Sequence, residues 1–142
     1  MERRRAREAA LQALFGIDLG HTRPELAVRH ALEVSELGEP SAAFVEQLVR
    51  GVLAHREEID ARIQRFSPEW SLERMANVDR NVLRLAVFEI LHLPDMPPSV
   101  SINEAVELAK KYGDKDSSRF VNGILGQVAR ELAAGREGTE PE

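Results

Sequence analysis

Asn77-Val78-Asp79-Arg80-Asn81-Val82-Leu83-Arg84-Leu85-Ala86-Val87-Phe88-Glu89-Ile90-Leu91-His92 is the stretch that decides the architecture. Read at 100° per residue, Val82, Leu83, Leu85, Ala86, Val87, Phe88, Ile90 and Leu91 cover nearly every side of a helix, which therefore belongs in the middle of the fold. Asn77 suits its N-cap. Arg84 and Glu89 are the only charges between Val82 and Leu91. Each must reach the surface or find a partner, and an ion pair anchoring the central helix is the expected role.

The same period of three and four extends outward in both directions. Residues 4–18 form a first helix stopped near Gly20, and Pro24 opens a second that runs to Gly38. From Ser41 as N-cap, Phe44, Leu48, Val52, His55, Ile59, Ile63 and Phe66 make one long stripe, with Gly51 as a kink point and Ser67-Pro68 as its end. A short turn is expected over residues 71–75. The loop Pro94-Asp95-Met96-Pro97-Pro98 ends the central helix, and Ser101-Ile102-Asn103-Glu104 has the form of a capping box for a helix reaching Gly113. A last helix from Asp116 or Ser117 buries Val121, Ile124, Leu125, Val128 and Leu132. Gly123 and Gly126 lie inside it at a cost, which close approach of a neighbouring helix would offset. No segment alternates apolar and polar for long enough to suggest a sheet, so the class is all-α. The reading gives one domain over residues 1–134 and an acidic, disordered tail over 135–142.

Composition narrows the function. The chain has 142 residues and no cysteine, which fits a reducing cytosol. Its most apolar segment is interrupted by Arg84, Glu89 and His92 and is too short for a bilayer, and the basic start lacks the apolar run of a signal peptide. A soluble cytoplasmic protein is expected. Nucleophile elbows, phosphate-cradling glycine loops and His-Glu-x-x-His are absent from the sequence, so no enzyme, metal, cofactor or small-molecule substrate is expected. Glu89 and His92 form a single Glu-x-x-His, where a di-iron bundle needs two copies and two further glutamates. His92 reads instead as a helix-end histidine, and His55 as a core or boundary one.

Charge supplies the positive signal. Arg3, Arg4, Arg5 and Arg7 crowd the start of a chain whose formal net charge is -5. A cationic helix tip on an anionic body points to a polyanion, with nucleic acid foremost. Arg4, Arg7, Leu11 and Leu14 share one side of the helix, and burying two unpaired guanidiniums there would be too costly. The first two turns are therefore expected to overhang the core and display all four arginines; the plainer alternative is a frayed, solubilising terminus. Phe120, after Ser117-Ser118-Arg119 and beside the apolar stripe, suits stacking on an unpaired base, or else widens the apolar face. Phe15 and Phe66 pose the same choice.

Arg3-Arg4-Arg5-Ala6-Arg7-Glu8, residues 78–86, residues 102–110 and Phe120-Val121-Asn122-Gly123-Ile124-Leu125, taken together, resemble the NusB transcription antitermination factor family along nearly the whole chain. The resemblance implies about seven helices in two packed halves and no catalysis. It also implies binding of the single-stranded boxA element of nascent RNA, together with the ribosomal protein NusE, in an antitermination complex on RNA polymerase, notably during ribosomal RNA synthesis. Carried over to this sequence, it places RNA contacts on Arg3, Arg4, Arg5, Arg7, Gln12, Phe15, Phe66, Lys110, Asp116, Arg119 and Phe120, and the NusE side on Glu73, Arg74 and Asp79. Phe15 and Phe66 depart from tyrosines whose hydroxyls would add hydrogen bonds. An acidic body would attract a basic ribosomal protein while repelling RNA away from the arginine tip.

Three other readings compete. Residues 101–113 and the helix from Asp116 can be drawn as a DNA-binding helix-turn-helix, although Asp114 and Asp116 would then face phosphates. The RNA-binding domain fused to some RNA methyltransferases is similar, but the sequence has no room for a cofactor-binding domain. A protein-interaction scaffold follows if the arginines only solubilise.

Overall fold

The computed structural model describes residues 2–139, with side chains through Gly135, and divides the chain into two compact units, Met1–Arg56 and Glu57–Glu142. The described residues contain seven α-helices. These units match the two helical halves expected from the resemblance.

The first unit holds α1 (Arg3–Gly20), α2 (Pro24–Ser35) and α3 (Ser41–Ala54), each packed on the other two. Ala6, Ala9, Ala10 and Ala13 let α1 approach its neighbours closely, and Leu11 and Leu14 complete its buried face. α2 stops at Ser35, short of Gly38. Glu36 takes the left-handed turn at φ 55, and the Leu37 N–H closes back on the Leu32 carbonyl at 3.3 Å. That hydrogen bond ends the helix without using a glycine.

The long stripe proves to be two helices. α3 ends at Ala54, His55 caps it at φ -112 and ψ 20, and α4 starts afresh at Arg56–Arg65. The break falls at His55 rather than Gly51. Glu57 and Glu58 in the first turn of α4 and Arg62 and Arg65 in its last match a new helix dipole. His55 is exposed, not a core residue.

The second unit adds a 3-10 turn (Leu72–Arg74), α5 (Asn77–His92), α6 (Pro98–Tyr112) and α7 (Ser117–Thr139). α5 is its centre, with every residue from 81 to 90 buried and both α6 and α7 packed against it. The two charges in its middle, Arg84 and Glu89, are satisfied. Arg84 donates to both oxygens of Asp60 on α4, at 2.9 and 3.1 Å, and Glu89, 1% exposed, accepts from the Ser101 hydroxyl at 2.9 Å. His92 instead pairs with Glu58 at 2.7 Å, so Glu89 and His92 serve separate partners. α4 is tied to α7 by Arg62 and Arg65, both on Glu131.

Two expected caps differ. α6 begins at Pro98, whose fixed φ suits a first turn, and Ser101 is a buried partner of Glu89 rather than a cap. Asn77 is the first residue of α5, and its side-chain oxygen accepts from Asn81 at 3.1 Å. α7 continues through Gly135 to Thr139, past the expected start of a disordered tail, and residues 140–142 lie outside the described residues. Gly123 has nothing within 4 Å of where a Cβ would sit, and Gly126 meets only Arg130 of its own helix, so no close helix approach explains either.

Candidate nucleic-acid and partner interfaces

In the first unit, α1 presents an exposed ridge of Arg4, Arg5, Gln12 and Leu19, with Glu8 and Phe15 half-buried along it. Residues four and three apart stack on one side of a helix, which aligns Arg4, Glu8, Gln12, Phe15 and Leu19. Arg5 bonds Glu2 at 2.8 Å and donates to the Ser35 carbonyl at the end of α2. Arg3 is exposed, with its guanidinium 5.3 Å from the centre of the Phe44 ring.

Arg7 corrects the expectation that all four arginines are displayed. It is 3% exposed, and its guanidinium lies 5.7 Å from the Phe44 ring centre. The Phe44 ring on α3 offers the buried cation an aromatic face, a contact that residues near Arg7 in sequence do not announce. Arg7 therefore continues the buried stripe of Ala10, Leu11 and Leu14.

In the second unit, the segment after α4, the start of α5 and the α6–α7 turn line an open cavity of about 430 Å³. Gln64 donates to the carbonyls of Ser67 and Trp70 at 2.7 and 3.0 Å, which folds the segment back and holds Trp70 at the rim, half exposed. The Arg74 guanidinium sits 5.7 Å from the Trp70 ring centre. Arg80 bonds the Leu72 carbonyl at 2.9 Å and so fastens the 3-10 turn to α5.

The opposite wall is a tight turn. The Asp116 N–H donates to the Asp114 carboxylate at 2.8 Å, and the Asp114 N–H donates to the Ser117 hydroxyl at 3.0 Å. These bonds set the entry of α7 and bring Phe120 to the cavity. Gly113 is required there, because a Cβ would lie 2.7 Å from the Ala109 carbonyl oxygen and closer still to Ser117.

Asp79 lines this cavity, 8% exposed, and its Oδ1 accepts no hydrogen bond among the described residues. Burial pushes its carboxyl above the ordinary carboxylate range; the Ser117 hydroxyl opposes that rise and the nearby Asp114 charge adds to it. Three carboxyls, Asp79, Asp114 and Asp116, face one guanidinium, Arg74, between the apolar walls of Trp70, Met75 and Phe120. That chemistry suits a cation with an apolar stem or a flat face.

The structure thus gathers Arg74, Asp79, Asp116 and Phe120, which the sequence reading had divided between partner and RNA. Glu73, Phe66, Lys110 and Arg119 do not line the cavity. Glu73, Arg119 and Lys110 are exposed, Lys110 lies 3.7 Å from Glu107, and Phe66 is half-buried after α4. Sequence reasoning missed Trp70 and Asp114. The signal available for Trp70 was its being the sole tryptophan of the chain, set in a polar loop.

The NusB family matches residues 4–130 of this sequence. The chain belongs to the NusB family. Among relatives called transcription antitermination protein NusB, the one from Desulforamulus reducens is 56% identical over 90% of both chains. The one from Heliobacterium modesticaldum is 52% identical over 96% of this chain, which spans 66% of that longer relative. A solved structure of T. maritima NusB superposes with a TM-score of 0.87 at 39% identity, covering 92% of each chain. A second, of antitermination factors NusB and NusE in complex with double-stranded RNA, gives 0.85 at 30% identity, covering 92% of this chain and 99% of that one. The NusB match replaces the helix-turn-helix reading, in which Ser117 would face bases. Ser117 is fully buried. No helix among the described residues is long and apolar enough to cross a membrane.

Proposed function

We propose that this NusB-family chain acts in transcription antitermination in the bacterial cytoplasm, binding boxA single-stranded RNA together with the ribosomal protein NusE and joining a complex on RNA polymerase, notably during ribosomal RNA synthesis. Its work is binding, without catalysis. The observation that carries the reading is the likeness, over nearly the full chain, to a NusB solved with NusE and RNA.

On the first unit the RNA-facing ridge is Arg4, Arg5, Gln12 and Phe15, with the exposed Arg3 beside it toward α3, where exposed guanidiniums meet phosphates and Phe15 offers an edge for stacking. Arg7 supports that ridge from beneath. Lys110, Asp116, Arg119, Phe120 and Phe66 are the RNA candidates of the second unit. Glu73, Arg74 and Asp79 face NusE, and the acidic cavity that holds Asp79 and Arg74 has the charge to receive a basic side chain from a ribosomal protein.

The experiment is a titration of boxA-like single-stranded RNA, duplex RNA and duplex DNA into the chain, with and without NusE. Tighter binding of the single strand, strengthened by NusE, is expected. Equal binding of all three would reduce the arginine ridge to a nonspecific cation patch. Binding of NusE that is unchanged by Asp79→Lys would remove the cavity from the partner surface.

A further inference from the structure

The tip of α1 ought to fray. The side chain of its N-cap residue, Glu2, is taken by Arg5 and caps no backbone N–H, its first turn has no acidic residue, and its opening turns carry Arg3, Arg4, Arg5 and Arg7. Positive charge at a helix N-terminus opposes the dipole, and like charges four apart, as in Arg3 and Arg7, repel. Yet the segment is helical from Arg3, and the Ala6 N–H reaches the Glu2 carbonyl at 3.0 Å.

We infer that Phe44 of α3 is the positioning residue of the RNA-binding tip: one buried ring holds Arg3 and Arg7 together, orders the first two turns of α1 and so sets Arg4 and the ridge before RNA arrives. The Arg3 and Arg7 guanidiniums lie 5.3 and 5.7 Å from its centre, and the ring is only 7% exposed. A cation over a desolvated aromatic face is held more strongly than at an open surface. Sharing one ring turns a repelling i,i+4 pair into two contacts with a single partner. Arg5 adds a separate tie, to the Ser35 carbonyl of α2. On the helical wheel Arg3 and Arg7 lie on the α3 side, while Arg4, Gln12 and Phe15 point away from it. Phe44 thus acts on RNA through the arginines without touching it, and a tip ordered in advance loses less entropy on binding.

This inference rests on the α1 ridge being the RNA surface, and its test separates the two. Phe44→Leu keeps an apolar side chain but removes the ring; Phe44→Tyr keeps the ring. In the RNA-free protein, Phe44→Leu should speed hydrogen exchange at the Ala6, Arg7 and Glu8 amides, and Phe44→Tyr should leave it unchanged. RNA affinity well below the melting transition should fall about tenfold in Phe44→Leu, with the salt dependence retained, and stay within about twofold in Phe44→Tyr. If Phe44→Leu is unfolded, Phe44→Met takes its place. Wild-type exchange and affinity in the leucine variant, or equal losses in both variants, would overturn the inference. Failure of the wild-type chain to bind RNA would instead overturn the proposed function, and the exchange measurement would still decide the role of Phe44.

Discussion

Replacing Arg4 and Arg7 separately should produce opposite results, although the two lie less than one turn apart. Arg4 stands on the exposed ridge, whereas Arg7 is 3% exposed against Phe44. Each phosphate contact on a single strand contributes about 0.7 to the slope of log K against log salt. Four displayed arginines would give a tip contribution near -3, and the three exposed ones give about -2. Arg4→Ala should flatten the slope by about 0.7, so the wild-type advantage over this variant shrinks about 2.6-fold between roughly 50 and 200 mM salt. Arg7→Met retains the apolar stem and loses the cation. Its slope should match wild type, while loss of a desolvated cation–π contact of about 2 kcal/mol lowers the melting temperature by roughly 4–8 °C for a chain of this size. Anisotropy titrations at four salt concentrations, paired with thermal melts, measure both. A slope change for Arg7→Met as large as that for Arg4→Ala, with melting unmoved, would refute the assignment of Arg7 to the fold.

Gly123→Ala, with open space for its methyl group, should stabilise α7 by about 0.5–1 kcal/mol, while Gly113→Ala should destabilise through its clash with Ser117 and the Ala109 carbonyl; thermal melts of the two variants must fall on opposite sides of wild type. Asp60→Ala takes the carboxylate from the buried Arg84 and should cost about 3 kcal/mol in denaturant unfolding, whereas Asp60→Leu with Arg84→Met should recover most of that, and equal losses would contradict a buried pair. Asp79 has its folded pKa raised, so its protonated form favours folding: its contribution is fully present below the unfolded pKa and is lost as pH rises through the folded one. Asp79→Asn should therefore raise the melting temperature at neutral pH, with the gain fading in acid below the usual carboxylate range, and it should weaken NusE capture; a gain independent of pH would show that charge is not the cause.

Much of the fold was legible because burial leaves a periodic trace. The central helix could be read from Val82 to Leu91 because a helix apolar on every side has no other place to go. What failed were features in which one residue type serves two purposes. Ser101 and Glu104 have the spacing of a cap, but the serine hydroxyl is taken by Glu89, a partner twelve positions away that no local pattern announces. The stripe from Phe44 to Phe66 keeps its spacing across the break at His55, so apolar periodicity alone could not divide it. The charges could have done so, since Glu57 and Glu58 followed by Arg62 and Arg65 repeat the acid-first, base-last order of a separate helix.

The composition of the candidate site was legible, but its arrangement was not. Four arginines on an acidic chain announce a polyanion without showing which of them face it, because charge is a property of composition and exposure is a property of packing. Arg7 reversed the expectation for a reason that lies on another helix: Phe44 supplies the face that makes a buried guanidinium tolerable, and the sequence offers Phe44 only as one more apolar residue of a stripe. Trp70 and Asp114 were missed for a related reason. They come from segments whose backbone is set by side-chain hydrogen bonds, Gln64 to Trp70 and Ser117 to Asp114, so their convergence on Asp79 depends on contacts rather than period. Asp79 then connects the site to stability, since a carboxyl held buried with one oxygen unsatisfied costs the free chain at neutral pH. A basic side chain entering the cavity would relieve that cost, so the partner should both bind Asp79 and draw its pKa back down. Melting with NusE should accordingly lose the pH dependence that the free chain owes to Asp79.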